Sequence, residues 1–578
     1  MLEPELSRKY DVIIVGSGTS GMMAAIRAHD LGLSAIVIEK THFFGGTSAM
    51  SGGNMWLPMN HLMEGSDDRG AAMAYMKHIA NGEVPDDMLE AFLDHGPAML
   101  LYLEDIGVPQ ASIRGGPDYV GNVPGSSSGR STVPVAMDAA LLGADLSRMR
   151  MPGNMWQLFE RYSMDLDDLA VLGLRLSGWR RRFTKLLLRY WADIGWRLKT
   201  RRDRRLTFGN ALIGGMRLAM AKRDIPLIYN LALSRLIRDA DRVSGAIFER
   251  DGKEITLHAR AAIVLAAGGF EHDPELRARY LSFPSSIRSS WTPEGNAGDA
   301  LKAAQEIGAG TAYMDALYCF PAMQLPVSGT PPGHAYHMAF RYPHSLCVNR
   351  LGDRFVDESS SYDDFGTAMI ADDRASGGNL PCWMIFDAQF REKYACGGLM
   401  PTAIAPDRSI PANWWDSYIY RADSIEELAR KCELDPAKIR TTIERFNGYA
   451  TSGVDEEFSR GDTDFDKIMG GDPRMAPNPS LGAVNRAPYY AVRLYLCDVG
   501  TKGGVRIDPH GAVLDASGAR IPGLYAAGVN AAALFGRGYP GAGASIGPAN
   551  AFAFAAANDI ARRNRRNATV VQRVLVTD

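Results

Sequence analysis

A glycine-rich turn between an apolar strand and a helix constrains the fold of this chain more than any other feature. The run Tyr10-Asp11-Val12-Ile13-Ile14-Val15 is typical of a buried parallel strand, and Gly16-Ser17-Gly18-Thr19-Ser20-Gly21 follows it directly. A helical pattern comes next, and a second apolar strand, Ala35–Ile38, ends at Glu39. This order of strand, glycine turn, helix and strand is the dinucleotide-binding arrangement, so the sequence predicts a Rossmann-type α/β domain.

Each glycine of the turn has a separate physical task. Gly16 permits the tight turn, Gly18 lets the backbone approach a pyrophosphate, and Gly21 lets the helix pack on the strand. The free N–H groups at the start of the helix then face the phosphates. Glu39 lies 18 residues after Gly21, where a carboxylate can accept hydrogen bonds from ribose hydroxyls. The alternative, a glycine turn with no chemical role, leaves this spacing unexplained.

Two further segments favour FAD over NAD. The stretch from Lys40 to Gly53 contains clustered glycines and hydroxyls that suit backbone wrapped along a long cofactor. Far along the chain, a short strand ends at Gly528, and a helix begins near Ser545 and Ile546. A helix start beneath an isoalloxazine stabilises the negative charge of the reduced ring. We therefore predict non-covalent FAD, because nothing marks His42, near the turn, as a covalent linkage point.

The predicted cofactor residues come from all of the glycine-punctuated segments. They are Gly16, Ser17, Gly18, Thr19, Ser20, Gly21, Glu39, Lys40, Gly45, Gly46, Thr47, Ser48, Ser51, Gly52, Gly53, Ala232, Ala267, Gly268, Gly269, Asn296, Asp299, Gly528, Asn530, Gly543, Ser545 and Ile546.

Changes of composition divide the chain into five segments. We predict an α/β protein with a discontinuous Rossmann-type FAD-binding domain and an inserted α+β substrate and catalytic domain. The FAD-binding domain takes residues 1–140, 207–290 and 489–578, and the inserted domain takes residues 291–488. Between the first two parts lies a basic, aromatic stretch, residues 141–206, which we call the basic insertion.

Composition excludes several classes of protein. The 578 residues carry a net charge of −3, which argues against a dedicated nucleic-acid binder. The 6 cysteines include no CxxC pair, so we predict no zinc site and no other metal. No run of apolar residues is long enough to span a bilayer. The first residues, MLEPELSRKY, lack the apolar stretch of a secretory signal, so we expect the protein in the cytoplasm.

Beyond these motifs, the chain resembles the FAD-containing fumarate reductase/succinate dehydrogenase flavoprotein superfamily. More narrowly, it is similar over nearly its whole length to the 3-ketosteroid dehydrogenases, especially the long Δ1-dehydrogenases. The matching stretches are VIIVGSGTSGMMAA, IEKTHFFGGTSAMSGGNMWLP, KTRRDRRLTFGNALIGGM, LAAGGFEHDPELR, NRLGDRFVDESSSYDDF, VGTKGGVRID and GLYAAGVN…YPGAGASIGPA.

The resemblance implies a 3-oxosteroid substrate, from which a base takes the C2 proton while the C1 hydride goes to the flavin. By resemblance, the Tyr539 hydroxyl and the Gly543 N–H hold the C3 carbonyl oxygen. Tyr362 matches the base, and Tyr119 matches a tyrosine that assists it. An ordinary tyrosine has a pKa near 10, so a base role needs a lowered pKa or a proton relay.

Three alternatives stay open at this point. One is a Δ4-dehydrogenase, because residues around Tyr539 depart from the usual pattern of the family. Another is a fumarate-reductase-like enzyme that clamps a carboxylate through His334, His337, Arg341 and His344. The last is a membrane-associated flavoprotein that only relays electrons.

For the dehydrogenase, the expected electron acceptor is a quinone.

Part of the basic insertion has the composition of a membrane-surface element. Residues 175–205 contain twelve Lys or Arg, two acids, and interleaved Trp, Phe, Tyr and Leu. A basic aromatic helix of this kind binds anionic membrane surfaces. No nucleic-acid recognition motif accompanies it, and the alternative is a solvated helical hairpin packed on its own protein. We expect a peripheral contact with the inner face of the cell membrane.

Overall fold

The strand predicted at Tyr10–Val15 lies in a central, largely parallel sheet. The computed structural model describes residues 4–283, 285, 289–326, 333–335 and 338–575. Tyr10–Val15 pairs in parallel with Ala35–Ile38 on one side and with the second half of Lys253–Leu265 on the other. Arg520–Ala526 extends the parallel part, with Ile263 opposite Leu524. The predicted α/β fold class is confirmed.

The carboxyl ends of these parallel strands share one edge of the sheet. The turns that follow Val15, Ile38, Leu265 and Ala526 therefore lie side by side. The remaining strands of this sheet flank the parallel part on both sides. They are Leu227–Ile228, Ala232–Asp239, Arg242–Arg250 and Ala512–Leu514.

A second, antiparallel sheet carries the inserted domain. Its central strand, Tyr489–Thr501, pairs with Leu317–Leu325, Cys382–Phe386 and Ile419–Ala422. Gly333–Ala335 and Ser345–Val348 complete this sheet within the described residues. The domain boundaries stay a prediction. The predicted C-terminal part of the FAD-binding domain begins at residue 489, and the strand that begins there pairs in this second sheet. One continuous segment of chain therefore links the two sheets.

Short strands and helices complete the described fold. The short strand pairings are Met55–Trp56, Gln110–Ser112 and Ser131–Pro134; Met137–Asp138 with Arg205–Leu206; Gln157–Leu158 with Tyr162–Ser163; and Thr311–Ala312 with Gly504–Val505. The α-helices are Thr19–Asp30, Gly46–Met50, Arg69–Ala80, Asp86–Asp105, Leu166–Gly173, Trp179–Ala192, Ile194–Arg197, Phe208–Ala221, Pro274–Tyr280, Asp299–Glu306, Tyr362–Ser376, Ala388–Lys393, Ile425–Lys431, Pro436–Ser452, Asp464–Met469 and Ile546–Leu575.

The last helix, Ile546–Leu575, packs against the helix that follows the glycine turn, Thr19–Asp30. Buried alanines along both helices allow their backbones to approach closely. This contact brings the end of the chain onto the same sheet edge as its beginning. Among the described residues, no helix combines the length and apolar character that crossing a bilayer requires.

The basic insertion folds on a small core of its own. Tyr162, Met164, Leu186 and Tyr190 form this cluster. The helix Trp179–Ala192 leaves one face outside, where Leu188 is 64% and Trp191 54% exposed.

A buried ion-pair network supports the loop that leads to Tyr362. Arg354 contacts Glu358 and Asp455, each at 2.8 Å, and Arg460 contacts Glu358 at 3.1 Å, all with fully buried side chains. Removing one partner would leave an uncompensated charge in the interior.

We expect Arg354→Met to lower the free energy of unfolding by about 3–5 kcal/mol, the usual cost of breaking a buried ion pair. The control is Arg69→Met, because Arg69 and Asp94 form an exposed pair at 2.8 Å. The control should cost no more than about 1 kcal/mol. Urea-induced unfolding measures both changes, and equal losses would contradict the expectation.

Candidate active site

A cavity of about 1620 Å³ runs from the carboxyl edge of the central sheet to the inserted domain. The glycine turn, the loop after Ile38 and the turn at Gly268 form one end of its wall. Most of the predicted cofactor residues line it. They are Gly16, Ser17, Gly18, Thr19, Ser20, Glu39, Lys40, Gly46, Thr47, Ser48, Ser51, Gly52, Gly53, Ala267, Gly268, Asn296, Asp299, Gly528, Gly543, Ser545 and Ile546.

The remaining predicted cofactor residues support the wall from behind. A Cβ on Gly21 would lie 2.0 Å from the Gly16 carbonyl oxygen, and one on Gly269 would lie 2.1 Å from the Thr501 hydroxyl. The Asn530 side chain accepts a hydrogen bond from the Ala267 N–H at 2.8 Å. Gly45 packs on Ile213. Ala232 lies between Leu231 and Leu233 in sequence, and both of these leucines line the cavity. Their assignment as cofactor contacts stays a prediction.

The geometry of the glycine turn fits FAD. Gly16 has a φ of +106°, and a Cβ there would lie 2.2 Å from the Ala266 carbonyl oxygen, so the protein itself requires glycine. A Cβ on Gly18 would meet only the Ser48 hydroxyl, at 3.7 Å. Since nothing else in the described protein crowds that position, the space beside Gly18 is free for a pyrophosphate.

Glu39 ends its strand in the wall of the same cavity. One carboxylate oxygen accepts hydrogen bonds from the Thr41 N–H at 2.8 Å and hydroxyl at 2.9 Å, and the other accepts from the Ser17 hydroxyl. These bonds fix the carboxylate beside the turn, where it suits ribose hydroxyls. The buried Asn54 Oδ1 atom, also in the wall, has no hydrogen-bond partner among the described residues.

Three tyrosines from distant parts of the chain meet in the cavity. The Tyr362 hydroxyl donates a hydrogen bond to the Tyr539 hydroxyl at 3.0 Å. The Tyr119 ring centroid lies 6.0 Å from that of Tyr362 and 5.6 Å from that of Tyr539. Tyr318 also packs on Tyr539, with 5.4 Å between ring centroids. The structure therefore brings together all three tyrosines that the sequence singled out.

The turn that carries Tyr539 is tied to the start of the molecule. The Pro540 carbonyl accepts hydrogen bonds from the Tyr75 hydroxyl at 2.8 Å and from the Tyr119 N–H at 2.9 Å. Gly543 has a φ of +94°, and a Cβ there would lie 2.3 Å from the Asn54 carbonyl oxygen. Its N–H has no acceptor among the described residues, so this donor is available to a ligand.

Tyr362 stands at the start of the helix Tyr362–Ser376, where Ser361 is the N-cap. The next residue, Asp363, pairs with Lys502 at 2.6 Å, and both side chains are buried. Lys502 also donates to the Arg537 carbonyl at 2.6 Å. This ion pair joins the helix of Tyr362 to the chain just before Tyr539.

Tyr119 follows an aspartate that is fixed in the same way. Asp118 accepts hydrogen bonds from the Trp56 indole N–H and from Arg130, each at 2.7 Å. Arg130 also pairs with Asp67 at 2.9 Å. Burial raises the pKa of Asp118 to about 6, against the opposing charge of Arg130. The buried network of Asp118, Arg130 and Asp67 therefore holds the loop of Tyr119 in place.

Burial dominates the electrostatics of the phenols. It raises the pKa of Tyr119, Tyr318 and Tyr539 well above the ordinary value. For Tyr539, the hydrogen bond from Tyr362 acts in the opposite direction. For Tyr119, the nearby Tyr539 raises the pKa further, while the Arg341 charge and the hydrogen bond with Tyr362 lower it.

Of the basic cluster considered for carboxylate binding, only part falls within the described structure. Arg341 lines the cavity. His344 is not in the wall and contacts the Ala483 carbonyl and Lys393. The His334 side chain and His337 lie outside the described part of the chain. In the described residues, no three His, Cys, Asp or Glu side chains converge as metal ligands would.

The sequence did not single out Tyr318 as a site residue, nor the Asp118 and Asp363 networks. One signal was present, since each of these aspartates is the immediate neighbour of a predicted catalytic tyrosine. The partners Arg130 and Lys502 carried no such signal.

Comparison with known proteins identifies whole-length relatives. The chain matches a family model described as "FAD binding domain" over residues 11–546. The 3-oxosteroid 1-dehydrogenase of Comamonas testosteroni is 36% identical over 567 residues, covering 96% of this chain and 96% of that protein. The 4-oxocyclohexanecarboxylate 2-dehydrogenase of Sinomonas cyclohexanicum is 32% identical over 572 residues, covering 96% and 93%.

A solved structure is similar over the same length. It is that of 3-ketosteroid delta1-dehydrogenase from Sterolibacterium denitrificans in complex with 1,4-androstadiene-3,17-dione. The TM-score is 0.92 at 40% sequence identity, with 96% of this chain and 100% of that chain covered.

The two glycines of the turn give a matched pair of variants. We expect Gly18→Ala to fold with an apoprotein melting temperature near that of the wild type but to bind FAD about tenfold more weakly or worse, because the methyl group takes the pyrophosphate's space. Gly16→Ala should lower the melting temperature itself, because its methyl group collides with the backbone. Differential scanning fluorimetry and titration of apoprotein with FAD separate these effects. Unchanged FAD affinity in Gly18→Ala would contradict the placement.

Proposed function

The chain belongs to the family of FAD-binding flavoproteins that includes the 3-oxosteroid 1-dehydrogenases, and from this premise we propose that it introduces a C1–C2 double bond into a 3-oxosteroid. The observation that carries the proposal is the meeting of the Tyr119, Tyr362 and Tyr539 side chains in the cavity that the cofactor turn also lines. The wall beyond the phenols is largely apolar, as a fused hydrocarbon ring system requires. Examples are Leu325, Leu399, Met400, Ile404 and Phe465.

The Tyr539 hydroxyl and the Gly543 N–H are the proposed donors to the C3 carbonyl oxygen. They come from one rigid turn, so their spacing is fixed before substrate binds. As the C2 proton leaves, negative charge grows on this oxygen, and donors in a water-poor cavity stabilise it. The unengaged N–H of Gly543 supports this assignment.

Tyr362 is the proposed acceptor of the C2 proton. Its hydroxyl lies within hydrogen-bond distance of Tyr539, so the base and the carbonyl donor are adjacent. Tyr119 supports Tyr362 by hydrogen bonding and lets a proton pass between the two phenols. Bound FAD supplies the two-electron acceptor for the C1 hydride. The C1–C2 double bond then forms as both hydrogens leave.

We further propose a quinone as the electron acceptor and an anionic membrane surface as the docking partner. The exposed face of Trp179–Ala192 supports the membrane contact, because Arg181, Lys185, Leu188 and Trp191 share it at helical spacing. Arg180, Trp179 and Phe183 of the same helix line the cavity. Not every basic residue is free for lipid, since Arg182, Arg189, Arg204 and Arg205 pair with aspartates.

We expect androst-4-ene-3,17-dione to bleach the flavin of the holoenzyme under anaerobic conditions and to yield the 1,4-diene. Tyr539→Phe should slow this reduction by about 10²–10³-fold, the scale for losing one donor to a developing oxyanion. Stopped-flow absorbance gives the rate, and product analysis distinguishes C1–C2 from C4–C5 oxidation. The control is Tyr313→Phe, because Tyr313 lies outside the cavity wall.

Two outcomes would overturn the substrate assignment. One is no bleaching by any 3-oxosteroid together with rapid bleaching by 4-oxocyclohexanecarboxylate, which would place this chain with its other relative. The other is equal rates for Tyr539→Phe and wild type, which would remove this hydroxyl from the reaction.

For the membrane contact, we expect Leu188→Ser combined with Trp191→Ser to reduce cosedimentation with phosphatidylglycerol vesicles by about tenfold, because both side chains contribute exposed apolar area. Neutral phosphatidylcholine vesicles should bind less wild-type protein, since each basic residue near an anionic surface contributes about 1 kcal/mol. Leu351→Ser is the matched control, because Leu351 is 54% exposed in the inserted domain. Equal losses in both variants would contradict the contact.

A further inference from the structure

Arg341 is a buried cation whose placement the proposed reaction leaves unexplained. It ends the short 3-10 helix Met338–Arg341, lines the cavity and is only 2% exposed. Its Nε and Nη2 atoms are buried and have no hydrogen-bond partner among the described residues. Taking a guanidinium out of water without a partner costs several kcal/mol, so the position needs a physical reason.

One aromatic ring, that of Phe465, lies between the Arg341 guanidinium and the Tyr119 phenol. The guanidinium carbon of Arg341 lies 5.3 Å from the centroid of the Phe465 ring, and that ring lies 4.7 Å from the Tyr119 ring. Burial raises the pKa of two nearby carboxyls, those of Asp364 and Asp466, and the charge of Arg341 lowers it, but both carboxyls hydrogen bond to other groups. Asp364 accepts from the Ser361 hydroxyl at 2.7 Å, and Asp466 accepts from the Thr463 N–H at 3.0 Å.

We propose that Arg341 is a positioning residue that stabilises negative charge on the Tyr119–Tyr362 phenol pair while the C2 proton is taken. The proposal rests on the proposed function and deepens it, because it names what offsets the burial of the base. A phenol enclosed by apolar walls resists ionisation. A cation held one aromatic ring away, with no ion-pair partner among the described carboxylates, opposes that effect.

The other groups that face Tyr119 do not supply this positive charge. They are Tyr362, Tyr539 and Asp363, and Asp118 is the neighbour of Tyr119 in sequence. Asp363 is negative and is balanced by Lys502 at 2.6 Å, and Asp118 is balanced by Arg130 at 2.7 Å. Both of these cations are therefore paired with their own carboxylates, whereas Arg341 pairs with none in the part of the chain that the structure describes.

The test uses the FAD-loaded enzyme and the variants Arg341→Gln and Arg341→Lys. A cation lowers the pKa of a phenol, so removing it raises that pKa and reduces the phenolate fraction at a given pH. The rate of flavin reduction by androst-4-ene-3,17-dione should rise with pH in the wild type. In Arg341→Gln, this rise should move to higher pH by about 1–2 units, so that the rate below it falls about 10–100-fold. Arg341→Lys, which keeps the charge, should restore most of the loss.

A second measurement does not depend on the steroid. Ultraviolet difference absorbance follows tyrosinate formation in the holoenzyme as pH is raised, and Tyr119→Phe and Tyr362→Phe identify the contribution of the pair. Arg341→Gln should move that contribution to higher pH, while the control Arg69→Gln should not, because Arg69 forms an exposed pair with Asp94 at 2.8 Å. This titration tests Arg341 even if no 3-oxosteroid reduces the flavin, in which case only the proposed function fails.

Three outcomes would overturn the proposal. One is a rate loss in Arg341→Gln that is the same at every pH, which a merely structural role would give. Another is an unmoved tyrosinate titration in a variant with full FAD content. The third is an unchanged pH profile with a raised KM only for a ketone bearing a carboxylate, which would make Arg341 a substrate-binding group.

Discussion

The Pro540 carbonyl is the point on which the arrangement of the cavity depends. It accepts hydrogen bonds from the Tyr75 side chain and from the Tyr119 backbone, so one oxygen joins three distant segments. The turn from Gly538 to Gly543 is thereby held between the cofactor side and the inserted domain. Since this turn carries both proposed carbonyl donors, their direction is set by the fold and not by the substrate.

Around that turn, the site is built from tyrosines whose neighbours in sequence do the anchoring. Asp118 and Asp363 are each adjacent to a tyrosine, and each is neutralised by a buried cation. The phenols themselves remain in apolar surroundings, which raises their pKa. The anchoring charges are therefore separate from the phenol hydroxyls, of which Tyr362 donates to Tyr539 at 3.0 Å. The burial that holds the phenols in place also raises their pKa, which opposes their ionisation.

Local patterns were sufficient to predict the parts of the fold that depend on backbone geometry. The turn at Gly16 and the strands beside it could be predicted because the positive φ of Gly16 and the order of strand, turn and helix are properties of a few consecutive residues. The three tyrosines were assigned through resemblance, and their catalytic roles stay a prediction. By contrast, Lys502 and Asp363 are 139 residues apart, and nothing in either segment specifies the other. The membership of Tyr489–Thr501 in the second sheet could not be predicted either, since most of its residues are buried and a buried strand would suit either sheet.

That strand has a mechanical consequence. Thr501 ends the central strand of the second sheet, and the next residue, Lys502, already contacts the turn before Tyr539. An extended strand that is paired along most of its length transmits displacement instead of absorbing it. Rocking of the second sheet would therefore be carried through Thr501 and Lys502 to the phenol cluster. A stiff linkage of this kind favours ligand exchange through the rim of the cavity rather than through hinge-like opening of the whole molecule.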